Sequence, residues 1–231
     1  MKACIKEALG RAEEARLETI GKHMEQGVEF PCVDGVLIEE TVVIGRGTVV
    51  EPGVILKGDT VVGENCVLTS GTRLENCRVG SGCVINASQC YDARIGNGVR
   101  IGPFSHLRPG CSLADGVRIG DFVELKNSSV GEGTAVAHLT YVGDSDVGSG
   151  VNFGCGCVTV NYDGQRKYRC VIGDGAFIGC NVNLIAPVTV GERAFIAAGS
   201  TITDSLQDGD FAIARARQVV KPGLGEEKLK K

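Results

Sequence analysis

The groups in this chain that could move a proton or hold an anion are few, and they are scattered. There are three histidines, His23, His106 and His138. His138 stands in Ala135-Val136-Ala137-His138-Leu139-Thr140-Tyr141-Val142-Gly143-Asp144 and is the candidate general base, because imidazole changes charge near neutral pH. A histidine packed for structure is the other reading of the same position. His106 lies one residue before an aliphatic position, and His23 falls in an N-terminal stretch of helical spacing, where it reads as a surface residue. A histidine-built catalytic zinc needs three ligands. With His23 set apart in that stretch only two candidates remain, so no metal site is expected. Arg108 and Lys126 are eighteen residues apart, and two cations brought together can hold a phosphate. A solvated charged edge is the alternative. Asn152, Asn161, Tyr162, Arg166 and Lys167 add hydrogen-bonding groups and charge nearby in sequence.

What positions these residues is a six-residue period. Ile44, Val50, Leu56, Val62, Leu68 and Leu74 keep it, then Ile95, Ile101, Leu107, Leu113, Ile119 and Leu125, then Ile172, Ile178, Leu184, Val190, Ile196 and Ile202. Such a period marks an all-β solenoid, a parallel β-helix of hexapeptide repeats. Three units make one triangular coil, so residues eighteen apart stack vertically, and about nine coils are expected. The slot four residues after each aliphatic takes a small side chain: Thr48, Thr72, Ala176, Ala194 and Ser200, and equally Cys66, Cys83, Cys111 and Cys157. Those cysteines read as small buried hydrophobes.

The period shortens to five at Leu74–Val79, Leu125–Val130 and Val142–Val147. After Thr159 it is broken by Val160 to Arg169, a polar, basic and aromatic loop turning at Asp163-Gly164. Insertions in repeat arrays often map to the binding face; a tolerated surface insertion is the bland reading. Leu17, Ile20 and Met24 recur at helical spacing before the first coil. The expected division is an N-terminal helix over 1–30, the β-helix over 31–205 and a C-terminal arm over 206–231.

A formal net charge of −4 gives no global attraction for nucleic acid or an anionic membrane. No apolar run is long enough to span a bilayer. Eleven cysteines without zinc-type spacing or a signal peptide point to structural thiols in a reducing cytoplasm.

Several strings together are specific. Leu107-Arg108-Pro109-Gly110, Gly120-Asp121-Phe122-Val123-Glu124-Leu125-Lys126, His138-Leu139-Thr140-Tyr141-Val142-Gly143-Asp144, Gly150-Val151-Asn152-Phe153-Gly154, Asn161-Tyr162-Asp163-Gly164 and Ala186-Pro187-Val188-Thr189-Val190-Gly191 occur in this order. From Ile101 through Arg217 the chain closely resembles the acetyltransferase half of the bacterial bifunctional N-acetylglucosamine-1-phosphate uridyltransferase/glucosamine-1-phosphate acetyltransferase. The resemblance implies the left-handed form of the β-helix and a homotrimer with sites at subunit clefts. It implies acetyl transfer from acetyl-CoA, a cosubstrate, to the amine of glucosamine 1-phosphate, in the supply of UDP-N-acetylglucosamine and cell-wall precursors, with no metal needed for that step.

By the same resemblance His138 is the base, and Arg108, Lys126, Tyr141, Asn152 and Lys167 bind the sugar phosphate. Glu124 and Asn161 orient the amine and acetyl end, and Tyr162, Ala198 and Arg215 contact acetyl-CoA. Cys155 and Cys180 stand in the acetyl-CoA site where the family commonly has Ala and Ser. Nothing here resembles the Gly-rich nucleotide loop of the uridyltransferase half, so that activity is not expected of the chain. The alternatives are an acyltransferase for another amino sugar phosphate and a non-catalytic β-helical scaffold. Partners are expected to be small-molecule substrates and copies of the chain itself, with neither nucleic acid nor membrane.

Overall fold

Aliphatic side chains at a fixed six-residue spacing can all be buried only if the chain turns through the same angle after every unit. The computed structural model, which describes residues 2–229, shows this arrangement. Short strands, mostly of two or three residues, form three parallel sheets of 10, 9 and 10 strands, each strand up to the last pairing with the one three further along the chain. The first face begins at Leu37–Ile38, the second at Val43–Ile44 and the third at Val49–Val50. Ten rungs at about 4.8 Å make a prism roughly 45 Å tall. The first face reaches ten strands within the visible period, ending at Thr201–Ile202, and the third reaches ten with Phe211–Ala212, past the end of that period, pairing with Phe195–Ile196.

Inside each face one residue per rung points to the axis. On the first face Leu56, Leu74, Cys90, Leu107, Leu125 and Val142 stack with no exposed surface. Each such side chain contributes about 1.5–3 kcal/mol by leaving water. The small-residue slot is also internal: Thr48, Cys66, Cys83, Cys111, Cys157 and Ser200 are all buried. Burial pushes the Cys157 thiol up to about 11, which keeps it protonated and unreactive. Among the described residues no helix is long and apolar enough to cross a membrane.

Helix α1, Lys2–Glu25, caps the first rungs. Its docking stripe differs from the expected one. Leu17 and Met24 are exposed; Thr19, Ile20 and His23 are buried, and Arg16 donates to the Val33 and Val36 carbonyls at 2.9 and 3.0 Å. His23 is therefore not a surface residue. The guanidinium anchor at Arg16 turns the helix so that positions three and seven residues later face the coils. A short helix α2, Leu224–Leu229, follows the last rung and buries none of its residues. Lys230 and Lys231, the end of the lysine-rich run, lie outside the described residues.

His23 carries a pH dependence. Its buried Nδ1 has no hydrogen-bond partner among the described residues, in a hollow shared with Lys22, Gln26 and Glu40, and desolvation holds its pKa below the ordinary value. Helix docking is then fully supported above the unfolded-state value of about 6.5 and weakens as pH falls towards the folded one, since only the unfolded histidine accepts the proton readily. Amide exchange in α1 is expected to speed up between pH 7.5 and 5 relative to the coils. In His23→Leu that selective acceleration should vanish; its persistence would place the acid sensitivity elsewhere.

Candidate active site

Strand register decides which side chains meet. On the third face Arg100, Arg118, Ala135 and Asn152 occupy successive rungs of one outward column. Three residues further along, where this face turns into the first, Asp121 pairs with His138 in register. The corner hydrogen bond from Leu139 N to Asp121 O repeats as Gly156 N to His138 O, Asn181 N to Cys155 O and Gly199 N to Cys180 O. Asp121, His138, Cys155, Cys180 and Ala198 therefore form a second column on successive rungs. Arg215 lies at its foot, its Cδ beside the Gly199 backbone.

Between the two columns the floor is Gly102, Gly120 and Ala137, and the resulting trough encloses about 430 Å³. Gly120 is obligatory there: a Cβ would lie 1.9 Å from the Ala137 carbonyl oxygen of the next rung. His138 Nδ1 is 2.8 Å from Asp121 Oδ1. That hydrogen bond holds the Asp121 carboxyl below the usual range. A carboxylate can only accept here, so neutral His138 carries its proton on Nδ1 and leaves Nε2 unprotonated. Both partners are followed by bulky residues in the left-handed backbone region, Phe122 at φ 55° and Leu139 at φ 47°. The same conformation recurs at corners away from this site, at Asn65, Asn76, Ala87 and Arg193, so it belongs to the turn of the coil.

A second group lies on the first face. Glu124 and Tyr141 are neighbours in register, and Arg108 sits one rung above Lys126. The vertical stacking expected of Arg108 and Lys126 is present, but each cation is already partnered. Arg108 Nη1 donates to Glu124 Oε1 at 3.0 Å. Lys126 Nζ lies 3.1 and 3.0 Å from the two oxygens of Asp144, which is buried. Asn127 donates to Asp144 at 2.6 Å, and Asn161 donates to it as well. Burial alone would raise the Asp144 carboxyl, yet these three donors and the lysine charge hold it below the usual range. Asp144 in turn raises Lys126. Tyr141 folds its hydroxyl over Gly143, where a Cβ would meet it at 2.3 Å.

The ejected loop leaves at the far corner of the first face. It closes on itself through a Tyr162–Lys167 bridge and through Gln165 and Arg166 amides donating to Asp163. Arg169 ties its foot to Asp146 and to the Asn127 carbonyl. Asn161 is buried; Tyr162 and Lys167 are exposed.

Within one chain, then, the candidate residues fall into three groups. His138, Cys155, Cys180, Ala198 and Arg215 share an edge, with Asn152 on the adjoining face. Arg108, Glu124, Lys126 and Tyr141 cover the first face. Asn161, Tyr162 and Lys167 come from the ejected loop, but Asn161 shares Asp144 with Lys126 and the Lys167 side chain reaches Lys126, so the structure brings these two to the first-face group. Asp121, Arg118 and Asp144 were given no role from sequence. The readable signal for the first was its seventeen-residue distance from His138, one short coil. Among the described residues no cluster of three or more metal-ligand side chains is placed to hold an ion.

Fold and repeat are those of the class described as "Bacterial transferase hexapeptide (six repeats)", whose family model matches residues 41–76, 92–127 and 169–204. Within that class the chain is homologous to part of the bifunctional GlmU proteins. It is 51% identical over 215 residues to the Bifunctional protein GlmU of Geobacillus sp., covering 93% of this chain and 47% of the relative. It is 48% identical over 207 residues to that of Clostridium botulinum, covering 90% and 45%. The chain thus spans about half the length of the curated relatives it matches. A solved UDP-N-acetylglucosamine acyltransferase from Bacteroides fragilis shares the fold, with a TM-score of 0.52 at 18% identity over 74% of this chain and 67% of that one.

Proposed function

We propose that the chain acetylates the amine of glucosamine 1-phosphate with acetyl-CoA. The observation that carries this reading is the Asp121–His138 pair at the edge of the trough, in a chain half identical to the bifunctional relatives over almost its full length. The amine nitrogen attacks the thioester carbonyl carbon and the carbon–sulfur bond breaks. His138 Nε2 takes the proton from nitrogen and returns it to the departing thiolate. Asp121 keeps the imidazole in the tautomer that can do this and stabilises its charged form. Arg108, Lys126, Tyr141, Asn152 and Lys167 would bind the sugar phosphate, with Glu124 and Asn161 orienting the reacting ends. The column Cys155–Cys180–Ala198, with Tyr162 and Arg215, would take the acyl donor. No step requires a metal.

The spread of these residues over an edge, a face and a far loop supports a homotrimer. A second copy laid against the His138 edge would bring its own loop to close the open trough. The test is thiol release from acetyl-CoA with a panel of amino sugars and amino sugar phosphates. Rapid release with glucosamine 1-phosphate and little with unphosphorylated glucosamine is expected. Equal rates with both would remove the phosphate from the reading.

A further inference from the structure

The cations on the first face carry no free charge: Arg108 is compensated by Glu124, and Lys126 by Asp144. The trough itself holds two that are not. Arg100 and Arg118 are exposed, stand in register on adjacent rungs, and make no ion pair or side-chain hydrogen bond among the described residues. Both line the His138 trough, across its glycine floor from Asp121 and His138. The Asp121 carboxylate, the acid in that trough, is engaged by the imidazole.

Like charges directly opposite in a sheet are destabilising. Stacking alone does not make a site, however. Arg78 and Arg94 stack the same way on the second face and line a shallow hollow with Val61, Val79 and Leu113, with no acid–base pair in it. What sets Arg100 and Arg118 apart is their position. Both hollows have glycines on the floor, Gly80 and Gly96 there and Gly102 and Gly120 here, but the two forked donors at Arg100 and Arg118 face the Asp121–His138 pair across theirs, and Asn152 continues their column two rungs below Arg118. Paired guanidinium forks over such a floor match the oxygens of a phosphate, which they bind bidentately.

We propose that Arg100 and Arg118 form an anion subsite at the head of the His138 trough, and that it takes a phosphate dianion. Both substrates of the proposed reaction bear phosphate, so the assignment of the donor rests on that reading, whereas the anion site does not. Either the sugar phosphate or a phosphate of the acyl donor would be anchored three residues across the strand from the base. That contact fixes the distance between the anchored end and Nε2.

The test compares the parent, the double variant Arg100→Gln/Arg118→Gln and the control Arg78→Gln/Arg94→Gln, each checked for fold by circular dichroism. Calorimetric titration with inorganic phosphate should show binding to the parent and the control, and at least tenfold weaker binding to the Arg100/Arg118 variant, the loss expected for a charge-assisted contact. A rise in the Michaelis constant for glucosamine 1-phosphate alone would assign the site to the sugar; a rise for acetyl-CoA alone would assign it to the donor. Equal phosphate affinity in all three proteins overturns the proposal. So does a variant that keeps phosphate binding but loses its oligomeric state, which would mean that the arginines pair with carboxylates of a second copy. Should phosphate binding depend on the pair while the parent acetylates no amino sugar phosphate, the anion site stands and the proposed reaction falls.

Discussion

His138→Ala is expected to lower kcat by about 10²–10⁴-fold, the usual contribution of a general base, with the coils intact. The side chain is more than half exposed at a corner, so its removal leaves no cavity in the core. Asp121→Asn probes the same pair differently. An amide can donate to Nδ1 and so permits the tautomer with the proton on Nε2, which cannot accept another. The expected result is a large fall in kcat with little change in either Michaelis constant, and partial recovery in Asp121→Glu. Melting temperature and rate measured on one preparation separate catalysis from packing. A His138→Ala protein that melts early but turns over normally would show that the histidine is structural.

The largest stability effect should come from Asp144. It is buried and accepts from Lys126, Asn127 and Asn161. Asp144→Ala strands the lysine charge and two amide donors at once. Breaking a mostly buried pair by removing one partner costs about 3–5 kcal/mol, or roughly 10 °C in melting temperature for a chain of this size. The lower end is expected because Lys126 keeps 19% of its side-chain surface. Asp144→Asn, which tolerates the left-handed backbone found here at φ 46°, should cost less. The sign with pH follows from the depressed carboxyl. The contribution is present above the ordinary aspartate value and lost as pH falls through the lower folded one, while the raised Lys126 leaves the pair intact on the alkaline side until the amine deprotonates. Thermal melts of the parent should therefore be insensitive to this pair near neutrality, and the gap between parent and Asp144→Ala should close at strongly acid pH.

Much of the fold was legible because the period is set by geometry that repeats in sequence. Ile44, Ile101 and Ile172 announce their rungs by spacing alone. What the period could not give was the orientation of α1, which depends on Arg16 finding two carbonyls in the first coil. His23 was misplaced for that reason. The last strand of the third face also lay hidden, because Phe211 follows a stretch without the six-residue spacing. For the site, single positions were readable and pairings were not. Eighteen residues from Arg108 lies Lys126, and the same interval from Lys126 reaches Asp144, so the logic that stacks two cations also places an acid against the second. Asp121 and Arg118 acquire meaning only once Asp121 is known to meet His138 one rung away and Arg118 to face it across a glycine floor.

The most direct measurement follows both products of one reaction. Purified protein with acetyl-CoA and glucosamine 1-phosphate should release free thiol and form N-acetylglucosamine 1-phosphate in equal amounts, resolved by mass spectrometry. Thiol release without the acetylated sugar phosphate, or neither product from the folded protein, would contradict the account.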